Sequence, residues 1–331
     1  MATLVTGGTG FVGANIVRWL AQSGHEVVCF DVNGPDQLMR DFVAEVAREV
    51  TFVEGDILDR AALERVGKVY PIDTIVHAAV FTGTRPDIEL QRRQEIVDIN
   101  VAGTVNLLEL ARTLPLLRFV YVSSGAVYGT VLPEDQPLYE EGPTFPRNLY
   151  SITKYTSELL TRRYGELHGL STASVRLSTP YGPMERVTVH RAIMSVPYNW
   201  TGNVVRGEAV HAVDLRQGRD YTYVSDIADG IRAVVEAPVL PHDLYNITTG
   251  AWLTFGDILE QLRGLSPNIQ VIEPSRSKGD RSVAPASNRE LSRGPLSGYR
   301  LQMDLGWKPQ YDLAAGLADY LRWRRQAPFL D

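Results

Sequence analysis

A tyrosine and a lysine stand four positions apart in the segment YSITK, at Tyr150 and Lys154. Positions i and i+4 of an α-helix share one face, so an ammonium at 154 can lie near a phenol at 150. A free phenol has a pKa of about 10, and a nearby cation favours its ionised form. The spacing is therefore compatible with a tyrosine that acts as a general base, but the five residues alone do not settle this. The alternative is two solvated positions on a helix surface.

A serine at the end of an apolar run supplies a second polar group. Ser124 closes the run RFVYVSS, residues 118–124, which has the composition of a buried parallel strand. Ligands bind doubly wound sheets at the carboxyl ends of the strands. We therefore expect Ser124 at the edge of the sheet where a ligand binds.

The first half of the chain alternates short β-branched runs with helical patterns. Repeated alternation of this kind predicts an α/β fold with a doubly wound parallel Rossmann sheet and right-handed crossovers. The predicted strands are 3–6, 26–31, 50–56, 73–79, 118–124 and 171–178, and the predicted helices include 11–24, 59–67 and a long segment from about 89 to 114.

The second half is less regular. Prolines and glycines cluster over 179–197, and the stretch 274–298 is polar without a clear period. Further predicted elements are a strand and helix over 219–238, a strand over 243–248 and an amphipathic helix over 313–325. We predict a Rossmann domain over 1–178, to which 219–248 returns, and a smaller substrate-binding lobe formed mainly by 179–331.

A glycine-rich turn links the first predicted strand to the first helix. VTGGTGFVG places Gly7, Gly10 and Gly13 three residues apart, where backbone N–H groups and a helix N-terminus can hold a pyrophosphate. Asp31 ends the second predicted strand, where a carboxylate suits the ribose hydroxyls of NAD and repels the extra phosphate of NADP. A tight turn and a strand-end cap are the simpler alternatives. The combination predicts NAD as the cofactor.

Composition narrows the class of protein. The formal charge of −6 argues against a nucleic-acid-binding or membrane-binding surface. The single cysteine, Cys29, excludes an internal disulfide and a cysteine-cluster metal site, and its apolar surroundings predict a buried strand residue. No signal peptide or membrane-spanning stretch is evident, so we expect a cytoplasmic protein with no metal ion.

The ordered motifs TGGTGFVG, GDILD, HAA, VSSGAVYG, YSITK, RLSTPYGP and RDYTYVSDIA make the chain resemble an extended short-chain dehydrogenase/reductase. Within that superfamily it is similar to the NAD-dependent epimerase/dehydratase family, typified by UDP-galactose 4-epimerase. The resemblance implies that Ser124, Tyr150 and Lys154 are catalytic, with Lys154 also contacting the nicotinamide ribose. It further implies a homodimer built on the helices at 89–114 and around Tyr150.

The resemblance also assigns the cofactor site. Asp56 of GDILD is expected at the adenine amine, although a helix-capping role is equally compatible, and Ala78 and Ala79 are expected to lie behind the dinucleotide. Asn100 matches a family asparagine near the active site or is a packing residue. The expected cofactor contacts are Gly7, Gly10, Phe11, Val12, Gly13, Asp31, Asp56, Ile57, Ala78, Ala79, Asn100, Tyr150 and Lys154.

Departures from the family pattern bear on the substrate. Gly125 and Ala126 stand where dehydratases carry an Asp-Glu pair, so dehydration is not expected. Thr179 replaces an asparagine that contacts the sugar diphosphate in many members. Arg219 matches a phosphate-binding arginine or is a strand residue paired with an acid. Ser124, Gly125, Thr179 and Arg219 are the expected substrate contacts.

A few further residues remain open at this level. Arg281, Arg289 and Arg300 either hold an anion or are solvated. Thr82 lies near the sequence position where epimerases often carry a lysine that touches the pyrophosphate. Four apolar residues of the long helical segment serve the dimer or cover the sheet: Ile96, Ile99, Leu107 and Leu110.

Three functions fit these residues. The first is an NAD-dependent epimerase that oxidises a sugar or nucleotide sugar to a transient ketone and reduces it on the other face. The second is an NAD-dependent dehydrogenase of a free sugar, sugar acid or small hydroxy acid, which Thr179 favours. The third is a non-catalytic NAD sensor, which the complete set of Ser124, Tyr150 and Lys154 disfavours. We predict the epimerase.

Overall fold

A seven-stranded parallel sheet forms the centre of the protein. The computed structural model describes residues 2–129, 136–212, 214–272 and 293–327. The strands are β1 (Ala2–Thr6), β2 (Glu26–Asp31), β3 (Val50–Glu54), β4 (Ile72–His77), β5 (Arg118–Ser124), β6 (Thr172–Leu177) and β10 (Leu244–Ile247). Their order is β10-β6-β5-β4-β1-β2-β3, with every neighbour parallel. The predicted doubly wound Rossmann sheet is confirmed.

Helices cover both faces of this sheet. The helices of this part are α1 (Phe11–Gln22), α2 (Gln37–Phe42), α3 (Arg60–Val69), α4 (Pro86–Val97), α5 (Gly103–Ala111), α6 (Leu149–His168) and α8 (Val224–Glu236). Apolar residues of α1, α2 and α8 pack against one face, and those of α3 and α5 pack against the other. Strands buried on both faces explain the near-continuous apolar runs of the sequence.

The long helix predicted from about 89 to 114 is interrupted. Its first part starts earlier, at Pro86, where proline is tolerated because the first N–H groups of a helix have no intrahelical partner. Residues 98–102 form a π-helical segment before α5. Ile96, Leu107 and Leu110 are buried and Ile99 packs against the core, so these four residues cover the sheet.

A smaller layer of structure lies after residue 178. It contains the sheet β11-β9-β7, formed by β7 (Thr179–Tyr181), β9 (Gly218–Tyr223) and β11 (Trp252–Thr254), and the pair β8 (Val210–His211) with β12 (Val271–Ile272). Its helices are α7 (Val196–Arg206), α9 (Phe255–Leu265), α10 (Tyr299–Leu305) and α11 (Leu313–Gln326). Aromatic side chains dominate the core of this layer, among them Tyr181, Trp200, Tyr221, Tyr223 and Tyr320.

The segment 219–248 is divided between the two layers. Helix α8 packs against α1, and β10 pairs with β6 in the large sheet. Strand β9 instead pairs with β7 and β11 in the small sheet. The division into a domain at 1–178 and a lobe at 179–331 stays a prediction.

Cys29 is buried in β2, as the apolar run predicts. Burial raises the pKa of its thiol well above the ordinary value, which disfavours the thiolate needed for nucleophilic chemistry. Among the described residues, no group of three or more histidine, cysteine or carboxylate side chains is placed to hold a metal ion. No described helix is long and apolar enough to cross a membrane.

Candidate active site

Tyr150 and Ser124 meet at the carboxyl end of β5. Ser124 is the last residue of that strand, and its Oγ accepts a hydrogen bond from the Ala126 N–H at 3.1 Å. Tyr150 lies in the first turn of α6, which is fixed by a capping box between Asn148 and Ser151. The cap sets the start of the helix, so it also sets the direction from which the phenol approaches Ser124.

The surroundings of Tyr150 act on its pKa in opposite directions. Burial raises the pKa of the phenol, whereas the hydrogen bond with the Ser124 hydroxyl lowers it. The positive charges of Arg191 and Arg293 also lower the pKa of Tyr150. Burial is the largest of these effects, so the pKa of the Tyr150 phenol is raised overall.

Lys154 lies beneath this pair and is only 2% exposed. Its Nζ donates to the Val122 carbonyl at 2.6 Å and lies 4.9 Å from the centre of the Tyr121 ring. Burial lowers the pKa of Lys154 to about 7, and the carboxylate of Glu158 partly opposes the shift. Among the described residues no hydrogen bond joins Lys154 to Tyr150, and the effect of the ammonium on the phenol stays a prediction.

The glycine-rich turn has the close approach that a phosphate cradle requires. Gly7 has a φ of +67°, and a Cβ at this position would lie 2.6 Å from the Ala79 backbone. A Cβ at Gly13 would lie 2.0 Å from the Gly7 carbonyl oxygen. Helix α1 begins after Gly10, which offers no side-chain cap, so backbone N–H groups of the first turn remain for an anion.

Asp31 lies beside this turn at the end of β2. Its carboxylate accepts hydrogen bonds from the Thr9 N–H at 3.0 Å and the Asn33 N–H at 3.2 Å. These bonds fix the carboxylate next to the glycine turn, in the place that suits the ribose hydroxyls of a dinucleotide. The glycine cradle, the uncapped helix and Asp31 together fit NAD.

The remaining predicted cofactor contacts differ in their surroundings. Ala78 and Ala79 are partly exposed directly behind Gly7, as expected for residues beneath a dinucleotide. Asp56 is exposed and accepts from the Leu58 N–H at 2.8 Å, whereas the cap of α3 is Asp59. A helix-capping role for Asp56 is therefore wrong, and its contact with adenine stays a prediction.

Two residues predicted to touch the cofactor have internal roles in this structure. Asn100 is buried, with its amide nitrogen donating to the Phe81 carbonyl and Thr153 Oγ1 and its oxygen accepting from the Phe81 N–H. Its polar groups thus join the segment at Phe81 to helix α6 at Thr153, and its contact with the cofactor stays a prediction. Ile57 is buried with its side chain packed against Gly103.

Phe11 and Val12 open α1 immediately after the cradle. Phe11 is buried, and the Arg191 guanidinium lies 5.1 Å from the centre of its ring. Val12 is partly buried against the core. Their cofactor contacts therefore stay predictions.

Besides Ser124, the predicted substrate residues come from three elements that follow β5 in the chain. Gly125 follows Ser124 in a short 3₁₀ turn, and Thr179 begins β7. Thr179 pairs with Tyr221 of β9, the strand that also carries Arg219. Thr179 and Arg219 therefore come from adjacent strands of the small sheet, although their contact with a substrate stays a prediction.

Two side chains that were not predicted from the sequence carry charge into this site. Arg191 forms an ion pair with the buried Glu185 at 2.9 Å. Among the charged side chains, it contributes most to lowering the pKa of Tyr150. Arg293 lies next to Gly125. Neither belongs to a recognisable motif, because each reaches the site through contacts between segments distant in sequence. Thr82 bridges to Arg191 through its backbone.

Of the three arginines that the sequence analysis left open between anion binding and solvation, the structure describes Arg300. Arg281 and Arg289 lie outside the described residues. Arg300 donates to the Leu244 carbonyl at 3.0 Å and pairs with Glu141. It therefore has a structural role, in place of the predicted solvation or anion binding.

Comparisons with known proteins agree with this geometry. The model of the NAD dependent epimerase/dehydratase family matches residues 3–248. UDP-glucuronate 4-epimerase 1 of Arabidopsis thaliana is 29% identical, over 98% of this chain and 76% of that protein. A putative UDP-glucose 4-epimerase of Methanocaldococcus jannaschii is 27% identical, over 97% of this chain and 98% of that protein.

Solved structures show the same likeness. UDP-glucose 4-epimerase of Thermotoga maritima, solved with UDP-glucose, superposes with a TM-score of 0.83 at 25% identity, covering 98% of this chain and 99% of that chain. UDP-glucose 4-epimerase of Thermus thermophilus, solved with NAD, gives a TM-score of 0.81 at 26% identity and covers 99% of this chain and 100% of that chain. Since the family model spans well over half of the sequence, the chain belongs to the NAD dependent epimerase/dehydratase family of enzymes.

Proposed function

We propose that this protein is an NAD-dependent epimerase that inverts carbon 4 of the sugar in a nucleotide sugar. The observation that carries the proposal is the meeting of Tyr150 and Ser124 at the carboxyl end of β5, on the sheet edge that also carries the glycine cradle. The 4-epimerases among the similar proteins support this choice of carbon and of substrate class.

The chain's own residues handle the proton of the reacting hydroxyl. Bound NAD supplies an acceptor that takes a hydride from the carbinol carbon and later returns it. Ser124 hydrogen-bonds the hydroxyl oxygen, and Tyr150 removes its proton as the alcohol becomes a ketone. The same phenol gives the proton back after the keto sugar has turned over. The proton and hydride both return, so no net oxidation takes place.

Lys154 links the proton balance of the site to cofactor binding. An ammonium at this position favours the Tyr150 phenolate, but a pKa of about 7 leaves a part of Lys154 neutral near neutral pH. Hydrogen bonds from the Lys154 ammonium to the nicotinamide ribose hydroxyls, the contact that the family resemblance implies, would favour the ammonium. Tyr150 is then expected to lose its proton more readily in the holoenzyme.

Other chemistries of the family fit less well. Gly125 and Ala126 offer neither acid nor base for water elimination, so a dehydratase is disfavoured. A dehydrogenase of a free sugar acid would use the same Ser124 and Tyr150 and would release NADH. The retained cofactor is therefore the property that separates an epimerase from a dehydrogenase.

The test measures both properties in one preparation. The purified protein is denatured and the released dinucleotide is quantified, and the native protein is assayed with UDP-glucose, UDP-glucuronate and the free sugars. An epimerase retains NAD and interconverts UDP-sugars without NADH release. NADH accumulation on a free sugar or sugar acid would contradict the proposal and establish the dehydrogenase.

We further propose that the protein forms a homodimer through α4 and α6. These helices pack together and expose apolar side chains, with Leu90 71%, Ile152 42% and Leu159 45% exposed. Ile152 and Leu159 lie on one face of α6, as two-turn spacing requires. Sedimentation equilibrium of the wild type and of Leu159→Glu tests it, since only the wild type should be dimeric. A cytoplasmic location stays a prediction.

A further inference from the structure

Arg293 is delivered to the active site by a segment fixed on both sides. The Leu296 N–H donates to the buried Asp220 carboxylate at 2.8 Å. Leu138 accepts from the Ser297 N–H and donates to the Pro295 carbonyl, both at 2.8 Å. These bonds hold residues 295–297 against β9 and the 138 loop, so the place of Arg293 is set by the fold.

The guanidinium of Arg293 lies at the reacting end of the site. Its Nη2 is 3.2 Å from the place that a Cβ on Gly125 would occupy, and its charge acts on Tyr150. Gly125 directly follows Ser124, so Arg293 lies beside the two groups that handle the reacting hydroxyl. The glycine also gives the guanidinium its room, since a larger side chain would displace it.

In the part of the chain that the structure describes, no carboxylate forms an ion pair with Arg293. Asp220 is the acid that favours its charge, but the Asp220 oxygens are already bonded to Thr248 and Leu296. Burial and the charge of Arg219 lower the Arg293 pKa to about 10. A partly buried cation that forms no ion pair with the described residues is stabilised by an anion that arrives from solvent.

A core arginine shows the contrast. Arg176 donates to both carboxylate oxygens of Glu158 and lies over the Tyr128 ring, and these partners raise its pKa. The fold therefore can pair a buried arginine completely. It does not do so for Arg293, which is partly exposed.

From this geometry we propose that Arg293 selects a substrate whose sugar carries a carboxylate next to the reacting carbinol, that is, a nucleotide-linked uronic acid. The inference rests on the proposed function and names the substrate class of the same site. A carboxylate on carbon 5 lies next to the hydroxyl on carbon 4, whereas the diphosphate lies across the ring. Arg293 beside Tyr150 matches the first position, which leaves Arg219 for the diphosphate.

A neutral sugar is disfavoured by the same arrangement. Placing a hydroxymethyl group against Arg293 removes water from the guanidinium without supplying a negative charge. The wild type should therefore have a kcat/KM for UDP-glucuronate about 10- to 100-fold above that for UDP-glucose, which is the range expected for one charge-assisted interaction.

The experiment compares these two substrates in the NAD-loaded wild type, Arg293→Met, Arg293→Lys and Arg263→Met. Arg263 is an exposed arginine of α9 and provides the matched control. Arg293→Met should lower kcat/KM for UDP-glucuronate about 10- to 100-fold more than for UDP-glucose, with the excess loss mainly in KM. Arg293→Lys should recover part of the loss, and inhibition by free UDP should not change.

Each contrary result has a distinct meaning. A wild type that prefers UDP-glucose overturns the inference without any variant, and so does an equal loss for both substrates, which would place Arg293 on the diphosphate. A lower urea midpoint for Arg293→Met with an unchanged substrate ratio would assign it a structural role only. Turnover of neither UDP-sugar by the NAD-loaded wild type would overturn the proposed function itself.

Discussion

The cofactor side and the substrate side of the cleft are built in different ways. The cofactor side consists of backbone groups and one carboxylate from consecutive βα units, with Asp31 bonded to Thr9 and Asn33. The substrate side consists of charged side chains from separate segments, with Arg219 on β9 and Arg293 held through Asp220. The first side offers uncapped backbone N–H groups to a pyrophosphate, and the second contains Arg293, a cation that forms no ion pair with the part of the chain that the structure describes.

The difference teaches where specificity resides. A cradle of backbone N–H groups takes any pyrophosphate, so it fixes the cofactor and leaves the substrate open. A cation that lacks an internal partner rewards an anionic ligand and penalises a neutral one. Variants on the cofactor side should therefore affect all substrates equally, and variants on the substrate side should affect them unequally.

Tyr150→Phe should produce the largest effect, because both sides act through this phenol. We expect kcat to fall by about 10³-fold for every substrate, the size typical of a lost general base. Retained NAD should stay at the wild-type level, since the cradle is untouched. Steady-state kinetics and dinucleotide release measure the two quantities. Tyr155→Phe on the same helix is the control, and equal losses in both variants would argue against a role for the Tyr150 hydroxyl.

Gly7→Ala should remove most of the bound NAD. The added methyl group would lie 2.6 Å from the Ala79 backbone in a residue with a φ of +67°, so the turn must shift. We expect a loss of NAD affinity on the order of 100-fold, measured by calorimetry. Gly24→Ala separates the two causes, since Gly24 has a φ of +90° and open space around it. That control should cost about 1 kcal/mol of stability and no NAD affinity.

Asp31→Asn should relax the choice between the two dinucleotides. The amide keeps an acceptor oxygen for Thr9 but loses the charge that repels a ribose phosphate. We expect the ratio of NAD to NADP affinity to fall about 10-fold, as one charge interaction of moderate strength allows. Binding titrations of both dinucleotides measure it, with Asp41→Asn on the exposed face of α2 as control. An unchanged ratio would remove Asp31 from the ribose site.

We expect a smaller effect from the protonation of Lys154, on the free energy of unfolding. Its folded-state pKa of about 7 lies below that of an unfolded lysine, so between pH 7 and 10 the unfolded chain binds one more proton. This group therefore makes the folded protein more stable as pH rises. The NAD-free wild type should gain about 1 kcal/mol relative to Lys154→Met between pH 7 and 8. Urea unfolding at both pH values measures the gain, and parallel behaviour of the two proteins would contradict it.

The cofactor side and the substrate side also differ in how far the sequence predicted them. Local sequence patterns predicted six strands of the large sheet, the glycine cradle, and Ser124 and Tyr150 as site residues. The structure contains these strands and this cradle, and it brings Ser124 and Tyr150 together. The interruption at 98–102 was not predicted, because it accompanies bonds from Asn100 to Phe81 and Thr153. Periodicity within one segment carries no information about such distant partners.

The substrate side shows the limit more clearly. Arg293 stands in a polar stretch that resembles a solvated loop in the sequence, and the bonds of residues 295–297 with Asp220 and Leu138 depend on partners distant in sequence. Arg191 likewise depends on its pairing with Glu185. The i, i+4 spacing of Tyr150 and Lys154 predicted an ammonium near the phenol, but it did not predict that the buried lysine donates to the Val122 carbonyl. Side-chain direction in a core depends on the available acceptors, which spacing alone does not specify.

The most direct test of the central claim follows one hydrogen atom. The NAD-loaded wild type is given a UDP-sugar deuterated at carbon 4, in the presence of excess unlabelled free NAD, and the epimeric product is examined by mass spectrometry. A transient ketone reduced by the same retained cofactor predicts that the product keeps its deuterium. Deuterium found in free NADH, or an epimer formed without it, would contradict the proposed epimerase.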